Sequence, residues 1–171
     1  ESTILNNLLR LHDTQVSDAM TPRPVIFSLS DQVTVETFFH KYDHTPFSRI
    51  PIYDEEPEQI TGFILRNDIL LAQARGNGQN PLSNYRREIM VVAESTTLSE
   101  AFDQFLRLRT HMMLVVDEYG SVAGILTLED LLETLLGLEI VDESDKTVDM
   151  QQLARNLWRK RAEQMGLKIN P

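Results

Sequence analysis

The chain has 171 residues, 42% of them apolar, and 26 acidic side chains against 16 basic ones, for a formal charge of −10. That balance opposes nucleic acid, which wants a basic stripe, and close contact with an anionic membrane, but it is compatible with divalent cations. The absence of cysteine excludes disulfides, thiolate metal sites and cysteine nucleophiles. No apolar run approaches the roughly 18 residues that span a bilayer, and no signal peptide is visible. The chain begins on Glu1 and is expected to be a piece of something longer.

Residues 1–12 carry Ile4, Leu5, Leu8, Leu9 and Leu11 at helical spacing and read as a short amphipathic helix. The stretch 16–24 breaks it, and Pro22 and Pro24 bias Thr21 and Arg23 toward extended backbone. Val25 to Leu29 is a strand candidate. Thr34 then opens a helix with Val35, Phe38, Phe39 and Tyr42 on one face. Phe47 to Tyr53 reads as a strand, with Pro51 suggesting an edge or an irregularity. An acidic turn, a strand from Ile60 to Leu65 and a helix from Arg66 to Ala74 follow. The run from Gly76 to Pro81 is the clearest linker.

After the linker the same order recurs. Ile89 to Val92 is a strand, and Thr97 with Glu100 is a capping box for a helix bearing Leu98, Ala101, Phe102 and Phe105. His111 leads into the apolar strand Met112 to Val116, Asp117 to Gly120 make a tight turn, and Ser121 to Leu126 return as a second strand. Thr127 and Asp130 open the leucine-rich helix 128–138. Helix N-termini present N–H groups and partial positive charge, so this junction suits a phosphate. The same two side chains are also the pattern of a simple helix cap.

The two halves are copies. Val35 aligns with Leu98, Phe39 with Phe102, Tyr42 with Phe105, Ile52 with Val115 and Asp54 with Asp117, all 63 residues apart. A one-residue deletion in the turn makes the offset 62, aligning Gly62 with Gly124 and Asp68 with Asp130. Each half reads β-α-β-β-α, too small to fold comfortably alone, and two can bury their sheets against each other. The expected organisation is a lead-in helix over 1–15, repeats over 16–75 and 84–141, a linker over 76–83, and an acidic linker with a helical tail over 142–171.

A tandem repeat of this kind, whose second half ends in Gly-Ile-Leu-Thr-x-x-Asp, resembles a pair of cystathionine-β-synthase (CBS) domains, a Bateman module. The stretches VSDAMTPR (16–23), FSRIPIYDE (47–55), HMMLVVDEYGSVAGILTLEDLLE (111–133) and GLEIVDE (137–143) resemble more closely the CBS pair of the CorC/cyclin-M (CNNM) family, linked to efflux of magnesium and other divalent cations. The resemblance implies an α+β fold of two repeats packed through their sheets with pseudo-two-fold symmetry. It implies a regulatory, non-enzymatic module that binds an adenine nucleotide, ATP or AMP, with Mg²⁺ as companion. The implied partners are a second copy and the membrane domain of the same protein, at the cytosolic face of the cell membrane.

Carried over by position, Thr127 would bond a phosphate or ribose oxygen and Asp130 the ribose hydroxyls. Thr21 would line the same cleft, Val25 and Ile26 would sandwich the base, and Ser48, Arg49 and Pro51 would form the other wall. Residue chemistry agrees with these assignments. A base wants apolar walls, vicinal hydroxyls want a carboxylate, and phosphates want helix N–H groups and an Arg. Arg49 reads equally well as a surface charge on a strand edge, and Val25 and Ile26 as core residues. Leu65 stands where the second repeat has Thr127, so the symmetry-related cleft, with Asp68 alone, is expected to be empty or weaker.

His12, His40, His44 and His111 are scattered without metal-ligand spacing, and His111 reads as a structural residue. No phosphate loop, serine elbow or zinc motif occurs, so catalysis has no constellation beneath it. Two function classes remain: a nucleotide-sensing module, and a structural dimerisation module with a decayed cleft.

Overall fold

A computed structural model describes residues 5–6, 9–135 and 159. The fold is α+β and the chain forms two compact units. Among the described residues, Phe27–Ile89 make a continuous unit, while those up to Ile26 and those from Met90 make a split unit. Each contains one sheet.

In the continuous unit the sheet runs β2 (Leu29–Ser30), β3 (Arg49–Tyr53), β4 (Ile60–Leu65), with β2 parallel and β4 antiparallel to β3. Between β2 and β3 lies helix α2 (Val35–Tyr42), and after β4 comes α3 (Arg66–Ala74). In the split unit β5 (Met90–Ala93) pairs parallel with β6 (Met112–Val116), which pairs antiparallel with β7 (Val122–Thr127). Helix α4 (Leu98–Leu108) joins β5 to β6, and residues 128–135 are helical after β7.

The copies match in detail. Both antiparallel pairs carry a register shift at the equivalent place, between Ile52 and Tyr53 and between Val115 and Val116. Ile50, Ile52, Ile64 and Ile69 are buried in one unit where Met113, Val115, Leu126 and Leu131 are buried in the other. The buried aromatic shifts by a turn: Phe38 with half-buried Tyr42 occupies the place of Ala101 with Phe105.

Local chemistry sets the element ends. The Thr34 hydroxyl accepts the Thr37 N–H at 3.1 Å, and the Thr97 hydroxyl that of Glu100 at 3.2 Å, which caps α2 and α4. Asp117 Oδ1 accepts from Tyr119 and Ser121 N–H, both at 2.9 Å, which closes the turn between β6 and β7.

The lead-in of each repeat joins the other repeat's sheet. A short helix α1 (Val16–Ala19) precedes β1 (Thr21–Pro22), which pairs antiparallel with β7. Val16 N–H donates to Thr96 C=O at 2.8 Å, and Leu98 N–H to Thr14 C=O at 2.8 Å. The segment ahead of β5 mirrors this: Leu82 N–H donates to Val33 C=O at 2.8 Å, Val35 N–H to Asn80 C=O at 2.9 Å, and Arg87 bridges Phe63. Leu82 and Val16, the two anchoring side chains, are fully buried. Asp31, nearly buried, accepts from Arg86 Nη2 at 2.5 Å, tying that segment down a second time.

Several expectations are corrected here. Val25 to Leu29 is not a strand: Arg23–Val25 form a 3-10 turn closed by Ile26 N–H on Arg23 C=O at 3.2 Å, and pairing is confined to Leu29–Ser30. Pro24 lacks a donor and has a fixed φ, which suits a turn better than a ladder. Arg23 is therefore turn, not extended, while Thr21 is extended as the following proline demands. Residues 16–19 form a helix, in which Asp18 accepts the Gln15 N–H at 3.1 Å.

Pro51 lies in a central strand, not at an edge, and beside an irregularity, the register shift between Ile52 and Tyr53. Tyr53 C=O accepts from Asp31 N–H, so the Pro51 nitrogen, two residues earlier, faces the β2 side where β2 pairs only with Ile52 and Tyr53. His111 is exposed just before β6. Val25 and Ile26 are half-buried, not core. Leu5, Asn6, Leu9 and Arg10 are helical, but Leu5 and Leu9 are exposed and Leu11 is the apolar anchor. The acidic run from Asp142 and the helical tail lie outside the described residues, apart from Arg159.

Gly124 sits opposite Pro22, and a Cβ there would fall on the Thr21 carbonyl oxygen and 2.8 Å from Met20 Sδ. The obstruction is backbone, so β1 would have to leave β7. Gly124→Ala is expected to destabilise the chain by about 1–3 kcal/mol in urea denaturation. A loss below about 0.5 kcal/mol would show that the lead-in yields without cost.

Candidate functional site

The site builds on the end of β7. Its last residue, Thr127, is half-buried and pairs with Met112 of β6, and the helix 128–135 begins directly after it. Leu128 N–H donates to the His111 carbonyl at 3.0 Å, which sets the direction of the first turn. Thr127 Oγ accepts the Asp130 N–H at 3.0 Å, and the Asp130 carboxylate accepts the Thr127 N–H at 3.4 Å. This reciprocal box satisfies two donors that a helix start leaves unpaired. Thr134 Oγ also donates to the Asp130 carbonyl at 2.8 Å, tying the second turn to the first.

The cap leaves chemistry to spare. The Thr127 hydroxyl accepts the Asp130 N–H and also bonds the Asp130 carboxylate, so a ligand oxygen would take its proton in exchange for that contact. The Asp130 carboxylate meets the Thr127 N–H through Oδ2, a long bond that leaves acceptor capacity on the group. Burial pushes the Asp130 carboxyl up to about 6; the hydrogen bonds from Thr127 work the other way, and the charges of Glu133 and Glu129 add to the rise.

Beside this junction runs β1, with Thr21 opposite Ile125, two residues before Thr127. The 3-10 turn Arg23–Val25 packs along β7, and Ile26 follows it. Thr21, Val25, Ile26, Thr127 and Asp130 are thus brought together in the split unit, all half-buried. The set offers hydroxyls and helix N–H groups for anionic oxygen, a carboxylate for hydroxyls, and aliphatic surface for a planar ring.

Ser48, Arg49 and Pro51 belong to the continuous unit. The Ser48 carbonyl accepts the Arg66 N–H at 2.9 Å, half-buried Arg49 pairs with Leu65, and Pro51 is buried opposite Phe63. They stand around the start of α3, which corresponds to the start of the helix 128–135. There Leu65 occupies the N-cap without a side-chain cap, and Asp68 is held by Arg87. Arg66 donates to the carbonyls of Thr45 and Asp43, closing the end of α2.

Arg87 was not among the residues singled out from the sequence. The apolar repeat runs at offsets of 63 and 62, whereas the lead-ins are related by 66: Thr21 bridges Ile125 as Arg87 bridges Phe63. Arg86 and Arg87 ahead of β5 were the available signal, and they lack the apolar periodicity that made the repeat visible.

The CBS domain family model matches residues 16–75 and 82–137. The chain is 35% identical over 167 residues to a UPF0053 protein of Synechocystis, covering 98% of this chain and 48% of that protein. It is 31% identical over 161 residues to the magnesium and cobalt efflux protein CorC of Escherichia coli, covering 93% of this chain and 55% of CorC. The chain therefore spans about half the length of the curated relatives it matches. Among solved structures, the CBS domain of a bacterial CNNM/CorC family Mg²⁺ transporter in complex with ATP superposes with a TM-score of 0.75 at 29% identity, covering 80% of this chain and 97% of that one.

The raised Asp130 carboxyl has a consequence for stability. The folded state holds this proton more tightly than the unfolded chain, so the associated stability is fully present below the ordinary carboxylate range and is lost as pH rises through about 6. Between pH 4 and 7 the wild type is expected to lose roughly 1–2 kcal/mol relative to Asp130→Asn, which keeps the acceptor but cannot ionise. Chemical denaturation of both proteins across that range checks this, and parallel curves would place the Asp130 titration where an ordinary carboxylate has it.

Proposed function

The chain belongs to the CBS domain family, with two copies in tandem, and on that premise we propose that it is a regulatory module that binds an adenine nucleotide at the junction of β7 and the following helix. In this reading Asp130 accepts from the ribose hydroxyls, Thr127 donates to a phosphate or ribose oxygen, Thr21 lines the site, and Val25 and Ile26 flank the base. The carrying observation is the Thr127–Asp130 pair, fixed at a helix start and flanked by Thr21 on β1.

ATP is the favoured ligand because the superposable CNNM/CorC domain was solved with ATP, and Mg²⁺ would accompany it as counter-ion to the phosphates. The module would serve a divalent-cation efflux protein at the cytosolic face of its membrane, as the likeness to CorC suggests. It would pair with a second copy of itself and pass a change of geometry to a membrane domain. The ligand can drive that change only by binding one geometry better than the other.

One observation favours a second reading, a structural dimerisation module: the Thr127–Asp130 box is complete as a helix cap without any ligand. Titration calorimetry with ATP, with and without Mg²⁺, separates the two. The wild type is expected to bind, and Asp130→Ala to bind at least about tenfold more weakly, the loss of one charge-assisted hydrogen bond or more. Equal affinities would remove the assigned site. A melting temperature unmoved by ATP, ADP, AMP and S-adenosylmethionine would favour the structural reading.

A further inference from the structure

The two units carry the same helix-start carboxylate in opposite chemical situations. In the split unit, Asp130 is met by the N–H of Thr127, and the residue on the crossing lead-in is Thr21. In the continuous unit the lead-in residue at that position is Arg87, whose Nε donates to Asp68 Oδ2 at 2.9 Å and whose Nη2 donates to Oδ1 at 3.3 Å. The guanidinium thus takes both oxygens of the carboxylate, the fork pairing that matches a carboxylate best.

Arg87 is not placed there by a mobile loop. Its N–H donates to Phe63 C=O at 2.8 Å and its C=O accepts from Phe63 N–H at 3.1 Å, so its backbone is part of the sheet edge. Gly62 permits that approach, since a Cβ there would lie 2.5 Å from the Arg87 carbonyl oxygen and 2.6 Å from Arg86 Cγ. An exposed ion pair contributes little to stability. Occupancy is a different matter, because a ribose would have to displace a donor delivered by the fold, and Leu65 offers no hydroxyl in return.

We propose that Arg87 is a specificity-determining residue that acts as an internal occupant of the continuous unit's nucleotide position: by holding both oxygens of Asp68 beside Leu65, it confines nucleotide binding to the unit carrying Thr21, Thr127 and Asp130. The chain is then an asymmetric sensor made from a symmetric repeat. This inference rests on the nucleotide reading of the Thr127–Asp130 site.

The test restores the chemistry of one unit in the other. Arg87→Thr with Leu65→Thr reproduces the Thr21 and Thr127 pattern, and a threonine at the N-cap of α3 supplies a cap that helix lacks. In calorimetry with ATP the double variant is expected to bind twice as much nucleotide per chain as the wild type, and adding Asp68→Ala is expected to abolish the gain. Unchanged stoichiometry in a double variant that melts as cooperatively as the wild type overturns the inference while leaving the first site intact. ATP failing to bind either protein overturns the nucleotide reading and this inference with it. If the double variant does not fold, amide exchange on the wild type decides. ATP should slow exchange at residues 127–131 and leave 65–69 unchanged, and equal protection at both overturns the proposal.

Discussion

Two glycines without a Cβ hold this architecture together. Gly124 and Gly62 occupy the same place in the two repeats, and at each a lead-in segment crosses close enough that a methyl group would strike its backbone. Through these crossings residues 16–26 join the sheet of the second repeat and residues 82–87 join that of the first. The repeats of sequence and the compact units of packing therefore divide the chain at different points. Val16 and Leu82 bury fully at the crossings, each offering an apolar gain of about 1.5–3 kcal/mol that neither lead-in could find alone.

The same crossings decide what stands beside each helix start. The lead-in delivers Thr21 to one and Arg87 to the other, and the strand end supplies Thr127 to one and Leu65 to the other. Two substitutions between copies thus turn a polar junction with acceptor capacity into one whose carboxylate is already paired. The strand pairing is shared, down to the register shift beside Ile52 and Val115, although the helix after the first strand has 8 residues in one copy and 11 in the other. Duplication preserved the fold because the buried aliphatic positions preserve it, while the half-exposed positions around the helix starts were free to diverge.

Capping and ligand recognition use the same groups at Thr127 and Asp130. A cap needs the hydroxyl as acceptor and one carboxylate oxygen, whereas a nucleotide would use the hydroxyl as donor and the remaining acceptor capacity. The two roles are compatible, so a stable helix start and a binding site can occupy the same four residues. The raised Asp130 carboxyl follows from setting that group among β7, its own helix and two neighbouring glutamates.

The amino-acid sequence by itself determined the repeat, the helices α2, α3 and α4, the strands β3 to β7, and the capping threonines Thr34 and Thr97. These follow from periodicity and from side chains acting on backbone three residues away. It also singled out Thr127 and Asp130, because a helix start is written locally. Only the tertiary structure decided that Thr21 lies across from Ile125, that Val25 ends a 3-10 turn, that Pro51 can sit in a central strand, and that Arg87 closes on Asp68. Each of these depends on which segments meet across tens of residues, and that is settled by the fit of Gly62 and Gly124 against a crossing backbone, which leaves no periodic trace in the chain.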